Sequence, residues 1–265
     1  MPPAKRLQLD GVDLEYFEAG SGPALLALHG FLEMPGWYDF HDLLAERFRV
    51  VAPSHPGFGG SSRPDWLSSV EDLALFYLDL LPALRLEGPH VVGHSLGGWV
   101  AAQLAVFASD HIGKLMLVDA VGLPAPGGPV REPGGSIADW LVLEPNVLRP
   151  LAWHDPATGA LLKLPGEEGT SDDELIAILK NREAATVYGW KPFFYSTRLG
   201  HWLHRITAPT LVLWGEHDAV VPRSIGEAYA SGIPGARLET VRGAAHLPHL
   251  EQPEAFARAV AEFVG

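Results

Sequence analysis

His90-Val91-Val92-Gly93-His94-Ser95-Leu96-Gly97-Gly98-Trp99 sets a Gly-x-Ser-x-Gly pattern between two apolar runs of different kind. His90–Gly93 reads as a short buried strand and Leu96–Ala108 as a helix, so Ser95 falls on a very tight strand-to-helix turn. Such a turn forces its middle residue into a strained conformation and lifts the hydroxyl clear of the sheet. Glycines two before and two after the serine let the two backbones pass without collision. The bare pattern is common; the strand and helix on either side make it specific.

Working outward, strands and helices alternate. Arg6–Leu9 and Val12–Phe17 flank Asp10-Gly11, a hairpin signal. Ala24–Leu28 is a continuous apolar run, as expected of a strand buried on both faces. A helical pattern spans about Gly36–Arg47, the strand Arg49–Pro53 follows, and Ser69-Val70-Glu71-Asp72 resembles a capping box opening a helix to about Leu84. Beyond the Ser95 unit come the strand Lys114–Asp119, then Thr210–Trp214, a helix near Arg223–Ser231, the strand Arg237–Val241 and a closing helix Pro253–Val264. This rhythm predicts an α/β protein with a mostly parallel sheet covered by helices.

The rhythm breaks between Gly122 and about Arg205, where no clear strand is seen. Gly and Pro cluster at Gly122–Gly135, and helical patterns follow, one of them near Asp172–Tyr188. The stretch reads as an insertion, which divides the chain into 1–121, 122–205 and 206–265. It is rich in aromatic residues: Trp140, Trp153, Tyr188, Trp190, Phe193, Phe194, Tyr195 and Trp202. A helical insertion over the carboxyl edge of a parallel sheet is well placed to roof a pocket. Trp140, Trp153, Trp190 and Phe194 are expected to line it.

The 265 residues suit one large α/β domain, and a 47% hydrophobic share is ample for its core. With no cysteine, neither a disulfide framework nor a thiolate metal site is possible. A formal net charge of −13 argues against nucleic acid and anionic membrane partners, both of which would repel it. Met1-Pro2-Pro3-Ala4-Lys5-Arg6 leads into alternating residues, not a long apolar run, and no stretch approaches bilayer-spanning length. The expectation is a cytoplasmic protein, monomer or homodimer, acting on a small apolar molecule. Ser54-His55-Pro56-Gly57-Phe58-Gly59-Gly60-Ser61 lacks the Lys-Ser/Thr ending of a phosphate-binding loop. No histidine or carboxylate pair has metal-ligand spacing, so neither metal nor cofactor is expected.

Four motifs then carry a resemblance over nearly the whole chain: His29-Gly30-Phe31, Gly93-His94-Ser95-Leu96-Gly97, Gly215-Glu216-His217-Asp218 and Gly243-Ala244-Ala245-His246. Each follows an expected strand, and in this order they resemble the α/β-hydrolase superfamily. The resemblance implies a mostly parallel eight-stranded sheet with a helical cap after the sixth strand.

The chemistry such a serine needs is specific. A neutral hydroxyl is a poor nucleophile, so a base must take its proton during attack. His246 is the expected base, and Asp218 the group that orients it by accepting from the other ring nitrogen. The order Ser95, Asp218, His246 is the one this superfamily uses. Asp119, ending the strand Leu115–Val118, is the rival acid; His217 and His249 are the neighbouring histidines. Negative charge on the substrate oxygen needs two backbone N–H donors. Leu96 is the first, and by resemblance Phe31 is the second. His29 is expected to brace its loop, His94 to be structural and not catalytic, and Trp99 reads equally as core or pocket.

Serine at the elbow argues against dehalogenase and epoxide-hydrolase chemistry, which in this superfamily use Asp there. Attack on a carbonyl with water as final acceptor means hydrolysis, and the aromatic insertion favours an apolar ester. Arg131, Arg149, Lys163, Lys180, Arg182, Lys191 and Arg198 are scattered over the insertion, although one of them could anchor a substrate carboxylate. Three alternatives remain open: carbon–carbon hydrolysis of the meta-cleavage type, perhydrolase or haloperoxidase-like activity, and a slow-turnover ligand receptor. Against the first, Leu247-Pro248-His249-Leu250 and Phe31-Leu32-Glu33 stand where meta-cleavage enzymes commonly carry a Trp and a Gly/Ser-rich loop.

Overall fold

Strand alternation sorts the core into two layers. In the computed structural model, which describes residues 1–125, 137–155, 169–190 and 192–265, eight strands form one sheet in the order β1-β2-β4-β3-β5-β6-β7-β8. They are β1 (Lys5–Leu9), β2 (Val12–Ala19), β3 (Ala24–Leu28), β4 (Arg49–Pro53), β5 (His90–His94), β6 (Leu115–Val118), β7 (Thr210–Gly215) and β8 (Arg237–Val241). β2 runs antiparallel to both β1 and β4, and the pairs from β4 through β8 are parallel. The β1–β2 turn uses Asp10 and Gly11, both left-handed at φ 49° and 80°.

Side chains of a strand point alternately to its two faces. Leu26, Leu28, Leu115, Leu117, Val212 and Trp214 therefore join one apolar layer. Leu25, Ala27, Met116, Val118, Leu211 and Leu213 join the other. Helices α2 (Val70–Ala83), α3 (Leu96–Ala108) and α7 (Arg223–Gly232) cover the first layer, while α1 (Asp39–Ala45) and α8 (Pro253–Val264) cover the second. Because both faces are covered, β3, β5, β6 and β7 are buried almost throughout.

Local signals fixed some helix starts. The Ser69 hydroxyl accepts from the Asp72 N–H at 3.0 Å, and the Asp72 carboxylate accepts from the Ser69 N–H at 3.0 Å, closing the capping box of α2. Helix α1 is shorter than the expected Gly36–Arg47. Tyr38 is extended (φ −118°, ψ 168°), and its N–H donates to His41 Nδ1 at 3.0 Å, so the helix starts only at Asp39.

Between β6 and β7 lie α4 (Pro145–Ala152), α5 (Asp172–Gly189) and α6 (Leu199–Trp202). Most of the expected Gly/Pro cluster, with Arg131, Lys163 and Lys191, lies outside the described residues. Helix α5 sits on the loop after β4. Asn181 accepts from the Gly59 N–H at 3.0 Å, Tyr188 donates to the Pro56 carbonyl at 2.9 Å, and Lys180 donates to the Gly59 carbonyl at 2.6 Å. Among the described residues no helix is long and apolar enough to cross a membrane.

Candidate active site

The turn after β5 is strained and tightly enclosed. Ser95 has φ 50° and ψ −111°, a conformation that costs on the order of 1–3 kcal/mol and persists only where its surroundings enforce it. Here its N–H donates to the Val118 carbonyl at 2.9 Å, and its carbonyl accepts from Trp99 at 3.1 Å. A Cβ at Gly93 would lie 2.3 Å from the Gly97 carbonyl oxygen, and one at Gly97 would lie 2.2 Å from that of Leu28. No side chain fits at either position.

The three residues expected to act together converge beside this turn. His246 Nε2 lies 3.1 Å from Ser95 Oγ, and His246 Nδ1 lies 2.9 Å from Asp218 Oδ2. With a carboxylate facing Nδ1, the proton belongs on that nitrogen and the Nε2 lone pair faces the hydroxyl. Asp218 is held in turn, since its Oδ1 accepts from the N–H groups of Val220 and Val221 at 2.8 and 3.0 Å. The His246 N–H donates to the Ala152 carbonyl at 3.1 Å, which ties its loop to the end of α4. Ser95 and His246 are both buried.

The rival acid is adjacent. Asp119 is fully buried and accepts from the Gly215 N–H at 2.8 Å, bracing the end of β7. Burial, reinforced by the charge of Asp218, pushes its carboxyl pKa well above the ordinary range. No hydrogen bond joins it to His246; Asp218 holds that position.

The backbone N–H groups of Phe31 and Leu96 have no hydrogen-bond partner among the described residues. Leu96 opens α3, where amides point outward unpaired and the helix dipole favours negative charge. Phe31 is set by the loop after β3. There His29 Nε2 accepts from the His55 N–H at 2.9 Å, and His55 Nε2 donates to the His29 carbonyl at 2.9 Å. Burial lowers the His29 pKa to about 4, so it stays neutral and braces the loop.

Of the aromatic residues expected around the site, Trp140 and Phe194 are there. The Trp140 ring centroid lies 6.1 Å from that of His246, 5.8 Å from Phe31 and 4.7 Å from Phe194, and Phe31 and Phe194 stack at 6.1 Å. Phe194 adopts φ 52°, rare for a bulky residue, with its N–H on the Gly189 carbonyl at 2.7 Å. Phe193, not assigned to the pocket from sequence, joins at 5.9 Å from Trp140. Trp153 is buried at the C-terminal end of α4, beneath the Arg149 guanidinium at 5.6 Å. Trp190 departs from expectation: its side chain is 48% exposed. It follows buried Tyr188 by two residues at the end of α5, about 200° around the helix, so it faces away.

The described cations of the insertion, Arg149, Lys180, Arg182, Arg198 and Arg205, do not form an anion site. Lys180 and Arg182 are spent on backbone carbonyls, of Gly59 and Ser61 and of Trp140 and Leu141 respectively. Arg149 lies over Trp153, and Arg198 lines an outer cleft with Trp202 and Arg205. Two groups, Glu33–His94–His249 and Asp119–Asp218–His246, bring possible ligand atoms within 4.8 Å of one another. Both already contain a direct hydrogen bond, at 2.8 and 2.9 Å respectively, that a cation would have to break.

The comparisons with known proteins agree with this architecture. The family model described as "alpha/beta hydrolase fold" matches residues 23–253, and the chain belongs to that family. It is 28% identical, over 93% of its length and 84% of the relative's, to a 2-hydroxy-6-oxononadienedioate/2-hydroxy-6-oxononatrienedioate hydrolase of Cupriavidus pinatubonensis. Among solved structures it is similar to a membrane phospholipase A described as a bacterial virulence factor, with TM-score 0.80 and 26% identity over 99% of this chain and 85% of that one. A thermophilic esterase from Thermogutta terrifontis matches with TM-score 0.74 and 26% identity over 98% of this chain and 96% of its own.

Proposed function

We propose that the protein is a serine hydrolase that cleaves carboxylic esters of small to medium, mainly apolar substrates through an acyl-enzyme on Ser95. The observation that carries this reading is the unbroken chain Asp218–His246–Ser95, with contacts of 2.9 and 3.1 Å. In this reading His246 Nε2 takes the Ser95 proton as Oγ attacks the ester carbonyl. The tetrahedral oxyanion is met by the N–H groups of Phe31 and Leu96, and each such donor is worth about 2.7–4 kcal/mol. His246 then protonates the departing alcohol. A water molecule, deprotonated by the same histidine, attacks the acyl carbonyl and frees the acid.

The insertion acts as a cap whose Trp140, Phe193 and Phe194, with Phe31 from the loop after β3, receive the substrate's apolar part. The engagement of Lys180 and Arg182 with backbone carbonyls supports an uncharged substrate over a dianionic one. The likeness to a phospholipase A and an esterase supports ester chemistry.

The test is hydrolysis of short-chain p-nitrophenyl esters, with Ser95→Ala as the control. Turnover in the wild type and its loss in the variant are expected; undiminished turnover in Ser95→Ala would overturn the reading. A second reading, carbon–carbon hydrolysis of a coloured dienoate by the same three residues, is supported by the relative named as a hydroxy-oxo-dienedioate hydrolase. Faster bleaching of such a dienoate than ester turnover would favour it.

A further inference from the structure

Glu33 is a carboxylate buried to 2% exposure with no lysine or arginine paired to it among the described residues. Its Oε1 accepts from the Gly30 N–H and lies 2.8 Å from His94 Nδ1. The opposite ring nitrogen, His94 Nε2, lies 2.6 Å from the carbonyl oxygen of His246. Gly30 precedes Phe31, His94 precedes Ser95, and His246 is the proposed base. One carboxylate and one imidazole thus bridge the three loops that carry the oxyanion donor, the nucleophile and the base.

The protons on this bridge follow from its partners. A carbonyl oxygen only accepts, so His94 Nε2 carries a proton. An ionised Glu33 requires a second proton on Nδ1, which makes His94 an imidazolium. Burial opposes both charges. The attraction and hydrogen bond between the two outweigh it, raising the His94 pKa and holding the Glu33 carboxyl well below its ordinary value. The neighbouring imidazoles stay neutral: burial takes His41 down to about 3 and His249 well below its usual range. The pair is closed on the Gly30 side, since a Cβ there would fall 2.6 Å from His94 Nδ1.

We infer that Glu33 and His94 are positioning residues for the proposed hydrolysis, their buried ion pair fixing the Phe31 amide and the His246 imidazole on either side of the Ser95 hydroxyl. The inference rests on the reading of Ser95, Asp218 and His246 given above. Neither residue touches the substrate; both act through the backbone of the loops that do. Glu33→Gln keeps the shape but removes the counter-charge. His94 then loses the proton on Nδ1 and with it the rigid span between the two loops. Misplacement of reacting groups by about 1 Å costs up to roughly a hundredfold in rate.

The test measures kcat and KM for a p-nitrophenyl ester, and fluorophosphonate labelling of Ser95, in the wild type, Glu33→Gln and Glu33→Asp. Circular dichroism and thermal melting check that each variant is folded. Expected are a kcat and a labelling rate lowered about 10- to 100-fold in Glu33→Gln with KM within about twofold, and a smaller loss in Glu33→Asp, which keeps the charge. Nitrogen-15 NMR of the wild type across pH should show the His94 ring, assigned by the signal's absence in His94→Gln, keeping both protons to a higher pH than an ordinary histidine of pKa about 6.5. A folded Glu33→Gln with wild-type kcat and labelling, or a wild-type His94 that deprotonates no later than an ordinary histidine, overturns the inference. If Glu33→Gln does not fold, Glu33→Asp and the NMR signature decide. A wild type whose Ser95 is neither labelled nor active would sink the hydrolase reading and this one with it; a labelled wild type matched by Glu33→Gln would sink this one alone.

Discussion

Asp119 and Asp218 share one corner behind the base: an oxygen of each and a ring nitrogen of His246 all lie within 4.8 Å of one another. Two carboxyl groups so close do not both ionise readily, and Asp119, buried without the imidazole partner that Asp218 has, yields. Asp119 therefore stays protonated over a range where a free aspartate is charged. A folded-state pKa above the unfolded one contributes stability below the unfolded pKa, and that contribution is lost as pH rises through the folded value. Asp119→Asn is expected to raise the denaturant midpoint at pH 8 more than at pH 4 and to leave ester turnover within a few-fold. Asp218→Asn is expected to lower kcat by on the order of 10⁴. An inactive Asp119→Asn beside an active Asp218→Asn would reverse the two roles.

Acid stability should be set by the buried neutral histidines. Burial depresses the pKa of His29 to about 4 and of His41 to about 3, and takes His55 and His249 well below the usual value. A depressed histidine contributes stability above its unfolded pKa of about 6.5 that is lost as pH falls toward the folded value, by up to about 1.4 kcal/mol per pH unit for each group. The urea midpoint should drop steeply between about pH 6.5 and 4. A flat profile there would show that these rings are protonated in the native protein.

The aromatic cluster and the exposed tryptophan give opposite expectations. Trp140→Ala removes the ring that touches Phe31, Phe194 and His246. It should cost about 3–5 kcal/mol of stability and lower kcat/KM for esters with apolar acyl chains. Trp190→Ala, on the surface, should change stability by no more than about 0.5 kcal/mol and leave kcat/KM unchanged. Equal effects in melting and steady-state kinetics would mean the two rings have been given the wrong places.

Glycine substitutions probe the elbow directly. Gly97→Ala would force a Cβ to 2.2 Å from the Leu28 carbonyl oxygen and 2.5 Å from that of His29. Loss of soluble folded protein, or of Ser95 labelling, is expected. Gly36→Ala meets nothing within 4 Å at an ordinary φ and should behave as wild type. An active, normally stable Gly97→Ala would contradict the close approach of β3 to α3.

The sequence determined whatever is encoded over short stretches. Arg237–Val241 and Pro253–Val264 were legible to the residue because a two-residue or 3.6-residue period, bounded by Gly or Pro, is a local property. The strain at Ser95 was legible for the same reason: Gly93 and Gly97 lie within its own turn. Tertiary structure alone decided what depends on meetings between distant residues. The ion pair of Glu33 is not legible in the sequence, because its partner His94 stands 61 positions away and nothing local to either announces the pair. The arrival of Phe193 beside Trp140 was likewise set by packing within the insertion, whereas Asp218 was already legible from its place after an apolar strand. Chain periodicity fixes which face a side chain occupies; only the three-dimensional arrangement fixes what it faces.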